Sequence, residues 1–254
     1  MKKMKGVIKV FLLVSLAIVF AISITGHANA QLTYYFGIDT MFGAPQWGGV
    51  APPGTWATAT FIDVDANNVQ LTLNVTNNIT AAESFGEFYF NYKGDATDLY
   101  ITAVDVSDVG GWSVDLNDPT TTADDIPTFK ADGDGIYDIV FDLPPPPGSP
   151  GSKFQDGETL IYNINYTGIT ASDFDELATP DGGMVGPFYA AAKLQGIPCT
   201  TNPLDPDYDT CWNSENMGST SAWAAGVVPE PVSSTLFLIG GTFLAGRRFL
   251  RRKK

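Results

Sequence analysis

VQLTLNVT, residues 69–76, decides how this chain is read. Val69, Leu71, Leu73 and Val75 alternate with Gln70, Thr72, Asn74 and Thr76. In an extended backbone successive side chains point to opposite faces, so a strict period of two buries one face and wets the other. The same alternation recurs along the chain. In GEFYFNY, residues 86–92, Phe88, Phe90 and Tyr92 share one face and Glu87, Tyr89 and Asn91 the other. Leu160, Tyr162, Ile164 and Tyr166 alternate with Ile161, Asn163 and Asn165. Further strands are expected at 32–38, 55–64, 98–106, 136–143, 187–196 and 221–226, with Asn67-Asn68 as a tight hairpin turn. About nine or ten short strands, each with one polar face, predict an all-β fold, an antiparallel, jelly-roll-like β-sandwich.

Three stretches depart from the strand pattern. Thr170 before Ala171-Ser172-Asp173 has the T-x-x-D form of an N-terminal cap and predicts one short helical turn. Pro144 to Pro147 predicts a rigid extended connector. The Pro- and Asp-rich segment 198–220 predicts a long loop.

The two ends follow different rules. Lys2, Lys3, Lys5 and Lys9 precede an apolar run from Val10 to Ile24, which closes on Ala28-Asn29-Ala30. This is the layout of a secretory signal peptide, a helix over 1–30 removed after Ala30. No Cys follows the run, which argues against a lipoprotein. At the other end, Val232 to Gly246 carries no charge over 15 residues. As a helix it reaches only ~22 Å at ~1.5 Å per residue, short of a hydrocarbon core ~30 Å thick. Arg247, Arg248, Arg251, Arg252, Lys253 and Lys254 follow at once, and such a cluster stays cytoplasmic.

Pro229-Glu230-Pro231, the short apolar helix and the Arg-rich end resemble, in that order, the PEP-CTERM sorting signal of exported Gram-negative proteins. The resemblance covers residues 227–254 and implies recognition by an exosortase-type membrane protease. It also implies delivery to the cell surface or extracellular matrix of a bacterium that makes exopolysaccharide, with only transient membrane anchoring. The body, 31–226, resembles the uncharacterised β-rich ectodomains that precede such tails. Its FYFNY, ADGDGIYD, AAAKLQG and SAWAA segments carry that likeness, which implies no known activity.

Composition narrows the function classes. Of 14 Lys and Arg, only Lys93, Lys130, Lys153 and Lys193 lie in the body, against 27 Asp and Glu, a body charge of −23. A chain with no basic face does not neutralise phosphates, so nucleic acid is not expected as a partner. An acidic surface suits solubility, cation binding, or residence among neutral or cation-bridged polymers. The one His, His27, lies in the signal, which removes His-based triads, dyads and zinc sites from the mature chain. Cys199 and Cys211 are expected to form one disulfide in an exported protein. It would stabilise the fold by roughly 3 kcal/mol on the chain-entropy model.

The sharpest constellation is ADGDGIYD, residues 131–138. Asp132, Asp134 and Asp138, with Gly135 after the second, are candidate calcium ligands, since hard cations gather carboxylates around a sharp Gly turn. Lys130 stands where the first ligand of such a loop would be. The alternative is a pair of Asp-Gly turns joining a strand that ends at Ala131 to one that starts at Ile136. Asp205, Asp207 and Asp209 form a weaker set, with Thr210 where a calcium loop has Gly. Trp47, Trp112 and Trp212 lie in loops and are candidate glycan-stacking residues, whereas Trp56 and Trp223 sit in strand patterns and are expected in the core. The leading expectation is a structural or adhesive surface protein without enzymatic activity. A glycan-binding module and a carboxylate-only glycoside hydrolase or lyase stay open.

Overall fold

The computed structural model describes residues 30–43, 49–106, 112–116, 129–132, 134–143, 153–180, 186–199 and 219–228. The expected signal segment up to residue 29, the expected sorting tail from 229, the expected connector at Pro144–Pro147, Trp47, Trp212, Cys211 and Asp205, Asp207 and Asp209 lie outside them. Among the described residues no helix is long and apolar enough to cross a membrane.

The strands are β1 (Gln31–Gly37), β2 (Met41–Gly43), β3 (Thr55–Asp65), β4 (Asn68–Val75), β5 (Ser84–Phe90), β6 (Tyr100–Asp105), β7 (Ser113–Leu116), β8 (Phe129–Lys130), β9 (Ile136–Tyr137), β10 (Ile139–Asp142), β11 (Thr159–Asn165), β12 (Ala190–Pro198) and β13 (Ser219–Ala225). They form an antiparallel β-sandwich. One sheet runs β1-β3-β4-β11-β6 and the other β2-β13-β12-β5-β10-β7, with β8-β9 as a separate hairpin. Most successive strands change sheets, while β3–β4 and β12–β13 stay as in-sheet pairs.

Alternation explains the seam. Val69, Leu71, Leu73 and Val75 of β4 are all buried, and so are Tyr34, Phe36, Phe61, Phe88, Phe90 and Phe141 from both sheets. Phe36 meets Phe88 edge-on at 5.6 Å, and Phe61 meets Phe90 edge-on at 5.2 Å, each pair spanning the two sheets. The expected turn at 170 is present as a 3-10 turn, Ala171–Phe174. Asp173 Oδ2 accepts from the Thr170 backbone N–H at 2.8 Å and from its hydroxyl at 2.9 Å. That turn delivers Phe174, stacked on Phe61 at 4.3 Å, to close one end of the core.

Three expectations are corrected. The β3–β4 turn is Ala66-Asn67, one residue before Asn67-Asn68, and Asp65 Oδ1 accepts from the Asn67 N–H at 2.8 Å. The strand expected over 136–143 breaks at Asp138 into β9 and β10, because Asp138 Oδ2 accepts from the Tyr92 backbone N–H at 2.9 Å. Strand β5 does not have one wet face: Tyr89 is only 7% exposed, because the β8–β9 hairpin folds over it.

Candidate functional site

The outer face of the six-stranded sheet carries two parallel rows of side chains. In the first, Ala191 of β12, Tyr89 of β5 and Val140 of β10 stand side by side. Ala131, Tyr137 and Ala178 cover them, with Phe42, Phe129 and Trp223 at the rim, and make a small second core. Strand β9 is tied down by reciprocal hydrogen bonds between Ile136 and Thr179, at 2.8 and 3.0 Å. The fit is close: a Cβ on Gly135 would sit 2.8 Å from the Ala178 Cβ. Gly186, at φ +90°, leaves no room for a Cβ because the Asp134 carbonyl oxygen lies 2.5 Å from where it would stand. Gly135→Ala is expected to cost about 1–3 kcal/mol by overpacking, read as a lower urea midpoint. An unchanged midpoint would mean that the hairpin is not seated on Ala178.

The ADGDGIYD carboxylates are spread around this hairpin rather than gathered. Asp132 is exposed, in the left-handed region at φ 51°. Asp134 is 3% exposed; its Oδ2 accepts from the Tyr137 hydroxyl, and its Oδ1 has no hydrogen-bond partner among the described residues. Burial pushes its carboxyl up to about 6, with the Tyr137 hydrogen bond and nearby backbone N–H groups pulling part of the way back. Asp138 is bound to Tyr92 as above, and burial raises its carboxyl too. Among the described residues no group of three His, Cys, Asp or Glu is placed to hold a metal ion. The i, i+2 spacing that suggests a cation loop equally suits a hairpin in which one Asp takes the left-handed turn and the next points inward.

The second row crosses five strands. Trp223 of β13 pairs with Lys193 of β12, Lys193 with Glu87 of β5, Glu87 with Asp142 of β10, and Asp142 with Ser113 of β7. Lys193 Nζ lies 3.2 Å from Glu87 Oε1 and 5.2 Å from the Trp223 ring centroid. Tyr89 donates its hydroxyl to Glu87 Oε2 at 2.5 Å. Burial and that hydrogen bond hold the Tyr89 phenol well above its ordinary pKa, so it stays a donor. The Asp142 carboxyl is raised by burial, then by Glu87 and Asp115, with Lys193 opposing. Trp223, expected in the core, is instead half-buried on this outer face, because β13 directs Ala222 and Ala224 inward.

The outer face of the five-stranded sheet is chemically different. One row reads Tyr35, Thr58, Asn74 and Thr159 across β1, β3, β4 and β11. The next reads Thr33, Thr60, Thr72 and Ile161, and the third Gln31, Ile62, Gln70 and Asn163. None of the twelve is charged; on the fifth strand, β6, Asp105 pairs with Ile161 at the end of the second row, and Asp65 pairs with Asn68 beyond the third, each next to a register shift.

Of the other sequence-derived candidates, Trp112 is half-buried and packs edge-on against Tyr162 at 5.3 Å, on the core side of the sheet. Trp56 is fully buried, as expected, and donates to the Pro52 carbonyl at 2.7 Å. Cys199 is 4% exposed and is not a free thiol. No family model, no curated protein and no solved structure matches this chain.

Proposed function

We propose that this chain is an exported, non-enzymatic β-sandwich protein of a Gram-negative cell surface or extracellular matrix, structural or adhesive, and associated with exopolysaccharide. The observation that carries the reading is the order of sequence features in the tail: Pro229-Glu230-Pro231, the uncharged run 232–246, then the cluster from Arg247. Its processing partner is an exosortase-type membrane protease, and a Cys199–Cys211 disulfide belongs to the same oxidising setting. The body, with no His after residue 27, has no His-based triad, dyad or zinc site.

The full chain and a chain ending at Val228, expressed in an exosortase-bearing Gram-negative host, separate the alternatives. The full chain is expected on the cell or in its matrix, lighter by its tail, and the shortened chain free in the medium. Identical distributions, or a cytoplasmic full chain, would sink the proposal. One observation favours a hydrolase instead: Glu87 and Asp142 face each other on neighbouring strands, and one carboxyl is raised. Two close carboxylates are the minimum for glycoside hydrolysis. Both oxygens of Glu87 are already engaged, by Lys193 and Tyr89, which disfavours it. Release of reducing ends that disappears in Glu87→Gln would establish that rival.

A further inference from the structure

We infer that the outer face of the five-stranded sheet is a binding surface for a neutral, polyhydroxylated polymer, a glucan-like polysaccharide. The inference rests on the exopolysaccharide reading above and deepens it by naming the face and the ligand class.

Charge is the first argument. The body holds 27 acids and four Lys, yet the twelve outward positions across β1, β3, β4 and β11 hold none, and Asp105 enters only at the β6 end of the second row. Outward strand positions are where charged side chains ordinarily go, and the opposite face of the sandwich has Lys193, Glu87 and Asp142 in a single row. A neutral polymer laid on uncharged rows desolvates no ion and meets no like charge. A second copy of this chain, or any polyanion, meets the field of a body at −23.

Chemical type is the second. Hydroxyl and carboxamide groups donate and accept at once, as sugar hydroxyls do. Here they are already held in place by one another. The Thr33 and Thr60 hydroxyls lie 3.2 Å apart across β1 and β3. Thr159 donates to Asn74 Oδ1 at 3.0 Å, and Gln70 to Asn163 Oδ1 at 3.4 Å. Each group so engaged keeps further donor or acceptor capacity, and its rotamer is fixed before a ligand arrives, which lowers the entropy lost on binding. Ile62 and Ile161, between these polar groups, offer apolar contact to the C–H faces of a sugar. Tyr35, 38% exposed at one edge strand, and Tyr100, 69% exposed at the other, offer rings for stacking. The rows repeat at about 4.8 Å across strands and about 6.8 Å along them, an extended grid that suits a polymer rather than a small molecule.

The test is co-sedimentation of the full chain, in mild detergent, with microcrystalline cellulose, and affinity electrophoresis in gels containing dextran or alginate. Retention is expected with a neutral glucan, cellulose or dextran, and not with anionic alginate. Thr60→Glu/Thr72→Glu should weaken retention at least tenfold, and Asp142→Asn, on the opposite face, should leave it unchanged. Thr72→Val, which keeps shape and strand preference, guards against misfolding of the double variant and should weaken it several-fold with an unaltered melting curve. No retention on either neutral glucan would overturn the inference, as would undiminished binding by these Thr variants. So would loss on Asp142→Asn alone, or self-association relieved by the double variant. Because surface delivery is read by fractionation, either proposal can fail while the other stands.

Discussion

Phe61→Ala is expected to remove about 3–5 kcal/mol of stability, the cost of truncating a buried aromatic ring whose surroundings cannot close in. Phe61 is fully buried and joins three parts of the fold. Its ring stacks on Phe174 at 4.3 Å with planes 17° apart, meets Phe90 of the opposite sheet edge-on at 5.2 Å, and meets Tyr34 of the adjacent strand at 6.3 Å. Tyr34 in turn donates its hydroxyl to the Phe174 carbonyl at 2.7 Å. Truncation therefore leaves a cavity between two sheets and a 3-10 turn, and a sheet seam cannot collapse into it without shifting its hydrogen-bond register. For a body of this size the loss corresponds to a fall in Tm of about 10 °C. Thr60→Val, one residue earlier and facing out, should move stability by no more than about 0.5 kcal/mol. Urea unfolding of both variants checks the pair. A loss below about 1 kcal/mol for Phe61→Ala, well under the usual aromatic truncation, would mean that the two sheets do not meet at this ring.

Phe61 is legible in the sequence because the information is local. Ala59 and Phe61 follow the period of two in β3 as Leu71 and Leu73 do in β4, and no distant contact is needed to see which way they point. The cap at Thr170 is legible for the same reason. The outer faces are not. Tyr89 alternates with Phe88 and Phe90 and so reads as solvent-facing; only the return of the 129–137 hairpin, some forty residues later in sequence, buries it. The break at Asp138 depends on the Tyr92 N–H, and strands as short as β2, β7 and β8 are too brief to show a period. The row from Trp223 to Ser113 joins five strands of which only β12 and β13 are neighbours in sequence, so its members can be named but not placed together. The uncharged rows of the other sheet are equally hidden: Thr60, Thr72 and Gln70 read as polar positions, but the absence of charge becomes a surface only once the β3–β4–β11 register is fixed.

Stability is expected to fall as the pH rises from about 4 to about 6, with Asp134 as the main cause. In the unfolded chain this carboxyl loses its proton near 3.8, whereas burial in the second core holds it protonated to about 6 in the fold. Between those values the folded state binds more protons than the unfolded one, so ΔG of unfolding decreases with pH and levels off above the folded pKa. A displacement of about two pH units amounts to about 3 kcal/mol. Burial raises Asp138 and Asp142 in the same direction, and mutual repulsion in a body at −23 works with them. Asp134→Asn keeps an acceptor for the Tyr137 hydroxyl and removes the charge. Its stability should therefore decline less between pH 4 and pH 7 than that of the unaltered chain, by about 2 kcal/mol, in urea titrations at the two pH values. Tyr137→Phe should do the reverse and steepen the decline, because the ionised carboxylate then loses the one hydroxyl that stabilises it. Parallel pH profiles for all three proteins would show that Asp134 ionises as freely in the fold as outside it. The hairpin would then not shield it, and the small core over Tyr89 would be open to water.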